Sequence, residues 1–396
     1  MANFDDFKLS VEALSGGKNT VLLDDLGMPS VVFPFAKQKY SDLITGGTQD
    51  AFPCFIVDGA EKDVIYISKF QNIVVNDRAY SLPMKDPRTS ITFDEAVRVC
   101  RNKGNGWGLM PGSLWQAVAL WSKKNNTIPH GNNNYGCASE AAFEKGVPTL
   151  KEESGRILRT ATGSGPVMWN HNHDASGIAD MNGNVWEWTA DSRIKDGEIQ
   201  IIPYGNCFKL DCSMSATSAE WKAIMPDGTL VAPGTAGTLK YDNTVAGDGT
   251  QTDHSIGGPV FLSTTREHPM YTGGSTDAYY AGVWNNPIME KLTAKAGVNV
   301  PQVLKAYGLF PVDGELNGDG FWCRNYGERL ALRGGNWNNV ASAGVFALTF
   351  NNARSHNVSW VGFRAALPSR QILEPYGVSI SYRGIKGFAS VPQGRK

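Results

Sequence analysis

The sequence is poor in charge. Asp, Glu, Lys and Arg make up 19% of its 396 residues, below the usual ~25%, and 37 basic residues stand against 38 acidic ones. No global field exists to hold a phosphate backbone or an anionic bilayer, so nucleic acid is not expected as a partner. No apolar run reaches the ~18 residues of a membrane span, and no membrane insertion is expected. The opening Met1-Ala2-Asn3-Phe4-Asp5-Asp6 has neither the basic nor the apolar region of a signal peptide, which predicts synthesis in the cytoplasm without one. Cysteine is scarce too. Cys54, Cys100, Cys137, Cys207, Cys212 and Cys323 show no Cys-x-x-Cys and no Cys/His zinc spacing, so they read as reduced, mostly buried thiols. Cys207 and Cys212 are near enough in sequence to pair in an oxidising medium. No Gly-rich phosphate loop and no Ser/His/Asp arrangement stands out.

Glycine, by contrast, is abundant: 44 residues, about 11% against a typical ~7%. This favours turn-rich architecture over helical bundles. Residues 1–85 alternate short apolar runs with turns, at Thr20–Leu23, Ser30–Phe33, Cys54–Val57, Val64–Ile67 and Asn72–Val75. β-branched enrichment at that length predicts strands, and Pro83 and Pro87 mark a boundary after them. Two helices follow. Thr92-x-x-Glu95 is a capping box, with Phe93, Ala96, Val97 and Cys100 on one face and Gly104 as the stop. Ser113-x-x-Gln116 repeats the device ahead of a Leu114, Ala117, Val118 and Trp121 stripe. From 122 to 330 regular periodicity is scarce, and Gly234–Gly258 is especially loop-like, so short strands or an inserted subdomain are expected between about 195 and 325. The tail 368–396, with Arg370, Arg383, Lys386, Arg395 and Lys396, reads as a basic edge segment that frays. His171-x-His173-Asp174 reads as a surface turn, and Asp313–Gly320 as consecutive turns without EF-hand spacing.

The most informative stretch runs from Arg333-Gly334-Gly335-Asn336-Trp337-Asn338-Asn339 to Val361-Gly362-Phe363-Arg364. Rigid ends bracket a segment crowded with Asn, Ser, Thr, His, Phe and Trp and nearly free of acidic residues and Lys. Such composition suits an adaptable contact surface. Earlier in the chain, Leu109-Met110-Pro111-Gly112-Ser113-Leu114-Trp115-Gln116 and Gly183-Asn184-Val185-Trp186-Glu187-Trp188-Thr189 complete an ordered set. Each has a structural use: Trp186 and Trp188 share one side of a strand, Gly334 and Gly335 allow close approach, and Arg364 can pair with a carboxylate in bidentate fashion.

In that order the four stretches resemble the formylglycine-generating-enzyme branch of the C-type-lectin fold, over roughly residues 90–367. The resemblance implies an α+β protein: a small β-rich N-terminal region at 1–85 serving attachment or assembly, a C-type-lectin-fold ligand-binding domain at 86–367 with an insertion at about 195–325, and the basic tail. The family's oxidases carry copper-binding cysteines between the Arg-Gly-Gly and Gly-Phe-Arg motifs. Here no cysteine lies from Arg333 to Arg364, which removes both the soft metal ligand and the redox group. No catalytic residue is expected and no cofactor is required. Positions 184 and 187 correspond to residues that help bind calcium in the family, which implies either a structural calcium at Asn184 and Glu187 or, as the alternative, side chains there that satisfy neighbouring carbonyls and N–H groups.

The chain also resembles the variable proteins of diversity-generating retroelements, which include receptor-binding tropism determinants of phages. In these, adenine-directed mutagenesis rewrites codons near the C-terminus, with AAY asparagine codons as favoured templates. The resemblance implies a recognition surface of Asn338, Asn339, Val340, Ser342, Thr349, Phe350, Asn352, Arg354, His356, Val358, Ser359 and Trp360, with Ala343–Leu348 as an invariant core strand. Phe350 and Trp360 are the expected anchors, and Trp360 cannot arise from an AAY codon. The implied setting is a virion tail, displayed as a homo-oligomer, with a host cell-surface receptor or another protein as ligand and tail components as further partners. The alternatives are a divergent formylglycine-generating oxidase acting on a cysteine-bearing peptide, and a structural virion protein with no ligand.

Overall fold

The computed structural model describes residues 4–244, 259–268 and 288–369. The basic tail beyond 369 and most of the Gly234–Gly258 stretch lie outside the described residues. Among those described, no helix is long and apolar enough to cross a membrane.

The chain is an α+β protein built on two sheets. In the smaller, Thr20–Leu23, Pro29–Ala36, Val64–Ser68, Ala365–Pro368 and Gly108–Leu109 lie side by side in that order. The N-terminal strands thus share a sheet with the last described strand, Ile67 opposite Ala366, and this sheet runs across position 85. The helix Asp5–Leu14, which has no side-chain cap at its start, seats Phe7 and Val11 against Val21, Val31 and Phe70.

The larger sheet has eleven strands. Its centre runs Phe321–Cys323, Gly344–Asn352, Glu328–Gly334, Trp186–Lys195 and Glu198–Ile201, and short strands of the 195–325 stretch, including Lys222–Ile224, Lys240–Asn243 and Val260–Ser263, extend it. The central strand Trp186–Lys195 is buried along nine of its ten residues, because both faces are covered, and its polar side chains therefore all need partners. The family-like Gly-Phe-Arg motif supplies one. Val361–Phe363 pairs in parallel with Trp186–Trp188, the next strand, Ala365–Pro368, joins the other sheet, and Arg364 sits between them. Its Nε and Nη2 reach Oε2 and Oε1 of Glu187, both at 2.6 Å, the bidentate geometry that fixes a buried pair.

The two scaffold helices start by different means. Phe93–Arg101 has the expected box: Thr92 Oγ1 accepts from the Glu95 N–H at 3.3 Å and Glu95 Oε2 from the Thr92 N–H at 2.9 Å. Gly112–Lys124 does not. Ser113 lies inside its first turn and Pro111 precedes it. The cap comes from across the fold, where Asp191 accepts from the N–H of Gly112 and of Ser113, each at 3.0 Å, and from the Ser113 hydroxyl at 2.6 Å. Asp191 can reach because the central strand bulges between Trp188 and Arg193, with Asp191 at φ 74°. A carboxylate satisfies orphan helix amides as well as a hydroxyl does, and burial pushes its pKa up to about 7 against those hydrogen bonds.

Candidate functional site

At one end of the large sheet, Trp186, Trp322, Asn336, Asn338, Asn339, Thr349, Asn351, Asn352 and Trp360 line a cleft of about 300 Å³. Strand pairing builds its floor. Phe321–Cys323 runs parallel to Leu348–Phe350 with Trp322 beside Thr349, and alternation along Gly344–Asn352 brings Asn351 to the face that Thr349 occupies. Trp186, from the central strand, meets Trp322 nearly at right angles, ring centroids 5.5 Å apart at 82°, the edge-to-face arrangement that aromatic quadrupoles favour. The floor is tightly set: Asn351 is 6% exposed and Asn352 1%. Yet Asn351 Oδ1 and Asn352 Nδ2 have no hydrogen-bond partner among the described residues. Among the described residues no ionisable side chain lines the cleft.

Two loops flank this floor, and they are held differently. In the first, asparagine side chains join main-chain bonds: the Asn336 N–H donates to Asn339 Oδ1 at 2.9 Å and the Asn338 N–H to Asn336 Oδ1 at 3.3 Å, while the Trp337 carbonyl accepts from the Tyr135 N–H at 2.7 Å. Gly335 closes its base at φ 83°, where an added Cβ would fall 2.5 Å from that of Ala343, so no other residue fits. The second loop, 353–360, hangs from its carbonyls. Those of Arg354, Val358 and Trp360 accept from the N–H groups of Phe93, Ser90 and Trp186 at 3.3, 3.0 and 2.9 Å, and that of Ser359 from Arg159 Nη1 at 3.1 Å. The His356 ring lies 5.2 Å from that of Trp360. Burial, with Arg324 and Arg329 adding to it, lowers the His356 pKa to about 4, keeping the ring neutral.

Of the residues expected at a recognition surface, Asn338, Asn339, Thr349, Asn352 and Trp360 meet in the cleft. Val340, Ser342, His356, Val358 and Ser359 lie outside its lining; Val340 and Ser359 are exposed, and the other three are half-buried. Two residues are placed otherwise. Phe350 is not a surface anchor: it is fully buried, its ring 6.1 Å from that of Tyr241, because it faces away from Thr349 on a strand covered on both sides. Arg354 is not a free contact residue. Its Nε and Nη2 bind Glu328 Oε2 and Oε1 at 3.0 and 2.9 Å, and Nη1 binds Asp94 Oδ1 at 2.6 Å, so it fastens the second loop to the scaffold. Trp322, Trp186, Asn336 and Asn351 complete the cleft and were not singled out for it. Trp186 was visible only as a strand tryptophan, and the two Asn only as part of the segment's composition. Nothing in the sequence tied Trp322 to Thr349, since parallel pairing across 27 positions leaves no local signal.

The residues implied for calcium are engaged elsewhere. Asn184 Oδ1 accepts from the Thr160 N–H at 2.9 Å and from Asn132 Nδ2 at 3.1 Å. Glu187 pairs with Arg364, and its Oε1 also accepts from Gln71 Nε2 at 3.0 Å. Every one of these oxygens has a protein donor, and a guanidinium faces the carboxylate. Among the described residues no group of three or more His, Cys, Asp or Glu is arranged to hold a metal ion. His171 is no surface turn residue: it is fully buried, Nδ1 accepting from the Ile178 N–H at 2.8 Å, and burial first, then Lys69 and Arg364, lower its pKa to about 3.

Known proteins give one family match. Residues 43–227 match the model of the sulfatase-modifying factor enzyme 1-like domain. The matched stretch includes both scaffold helices and the Gly183–Thr189 motif, and with the α+β content it gives the chain the formylglycine-generating-enzyme type of C-type-lectin architecture. It ends before most of the cleft. No curated protein matches the sequence. Among solved structures, the major tropism determinant U1 variant is similar at 11% identity, over 88% of this chain and 71% of that one, with a TM-score of 0.27.

Proposed function

We propose that this is a non-enzymatic receptor-binding protein that meets its ligand at the cleft over Trp186 and Trp322, with the flanking loops as a diversified rim. The observation that carries this reading is the division of labour at the site: a floor sealed into the sheet, and a second loop fastened at one end by Arg354 and otherwise held through carbonyls that any residue possesses. Such a platform tolerates exchange of the side chains around it, as antibody paratopes do. The setting we infer is a phage or prophage tail, with residues 1–85 contributing to attachment. Display in several copies raises avidity by ~10²–10⁴ where geometry permits.

The test is loop exchange. Replacing Ser355, Asn357 and Ser359 together should abolish binding of the labelled protein to a susceptible bacterial strain while leaving the thermal melt unchanged; binding unaffected by the exchange, or unfolding, would sink the proposal. An imperfect copy of codons 333–364 differing mainly at adenines, beside a reverse-transcriptase gene, would support diversification independently.

The family match favours one rival, an oxidase acting on a cysteine-bearing peptide. The chain has no cysteine from 333 to 364, and Cys323, fully buried, has its thiol pKa pushed well up by burial, away from the reactive thiolate. Copper binding or oxygen consumption with such a peptide would establish that rival; neither is expected.

A further inference from the structure

Resting on the reading of this cleft as a recognition site, we propose that its ligand is a neutral sugar residue of a surface glycan. Among the described residues the lining offers indoles, carboxamides and one hydroxyl, and no ionisable side chain. A phosphate, sulfate or carboxylate ligand would find no cation to meet, and an ammonium no carboxylate. What remains is a neutral ligand with both an apolar face and hydrogen-bonding edges.

The floor asks for that combination. Asn351 Oδ1 and Asn352 Nδ2 are buried without partners among the described residues, a condition that costs about 1–3 kcal/mol for each group unless something supplies the bond. An amide offers an acceptor and two donors, and a hydroxyl can act as either, so neighbouring carboxamides match neighbouring hydroxyls. Beside them, Trp186 and Trp322 cross at 82°, so one ring turns its edge to the other's face, and Trp360 stands at the rim. A pyranose carries C–H groups on one face and hydroxyls around its edge, which places the first on indole and the second on amide. A cleft of about 300 Å³ is at the small end of small-molecule sites, ~300–1,000 Å³. A protein partner held on its own surface would instead require about 800 Å² per side.

The experiment applies the full chain to an array of immobilised neutral and anionic oligosaccharides. Dose-dependent binding to neutral saccharides is expected, weakened about tenfold or more by Trp360→Ala, as for an interface anchor, and several-fold by Asn338→Ala, whose exposed position leaves the fold intact. Binding confined to anionic glycans, or none on the array, overturns the proposal. A second arm separates this failure from failure of the recognition reading, using labelled protein on a susceptible bacterial strain. Binding that is lost with Asn338→Ala but survives periodate oxidation of the cells keeps recognition and removes the sugar. Binding indifferent to both cleft variants removes recognition itself, and with it this proposal.

Discussion

The loops on either side of the cleft carry similar residues and tie them into the fold differently. In 336–339 two asparagine side chains accept from the loop's own N–H groups beside the bond from Tyr135 to the Trp337 carbonyl, so Asn336 and Asn339 are structural even though they border the site. In 353–360 the neighbours hold carbonyls, and the side chains of Ser355, Asn357 and Ser359 make no hydrogen bond among the described residues. Polar composition alone therefore does not separate a residue that shapes a site from one that is free to change. The separating fact is whether a given residue enters its loop's hydrogen bonds through its side chain, as Asn336, Asn339 and Arg354 do, or only through its main chain.

The strand between the loops gives the largest test. Phe350→Ala should destabilise the protein by about 3–5 kcal/mol in denaturant unfolding, as large-to-small core changes do; a change below about 1 kcal/mol would mean that the floor is as tolerant as the rim. Next comes acid. His356 is neutral in the fold with a pKa lowered to about 4, whereas the unfolded chain takes up its proton near ~6.5. The unfolded state thus binds more protons between those values, and stability present above about pH 6.5 falls as pH drops toward 4. The slope is at most about 1.4 kcal/mol per pH unit, less the screening due to the ring's partial exposure. His356→Gln should flatten this limb between pH 6.5 and 4.5, and identical profiles would detach the second loop from acid sensitivity. Asn339→Ala, which deprives the Asn336 N–H of its acceptor, should cost about 1 kcal/mol, read as a lower melting temperature. The smallest effect is expected for Ser355, Asn357 and Ser359 exchanged singly, within about 0.5 kcal/mol each. Should Asn339→Ala prove equally silent, the contrast between the loops disappears.

The legible parts of this protein were those with local signals. Strand-length β-branched runs located Thr20–Leu23 and Val64–Ser68, the Thr92 and Glu95 spacing located a cap, and Arg364 announced a carboxylate partner. Contacts between distant segments were not legible. Ser113 has the spacing of a capping box, yet the helix is capped by Asp191, 78 positions away, because the strand bulge that delivers it has no sequence signature. Phe350 was misplaced for a related reason. A strand covered on both faces buries alternate residues of either polarity, so an aromatic beside Thr349 and Asn351 looks like part of a loop surface when it is core. The cleft's outline was half visible, through its asparagines, while the Trp186–Trp322 pair arises only when three strands are assembled.

Arg364 has a consequence beyond its partner. It stands where the chain steps from the large sheet to the small one, and besides Glu187 it donates to the carbonyls of Ser68 at 3.3 Å and Ala179 at 3.1 Å. Prising the sheets apart would leave an ion stranded in a dry interior before water could reach it. The sheets should therefore melt together: calorimetry should show a single endotherm whose van't Hoff and calorimetric enthalpies agree, with Arg364→Leu splitting it in two.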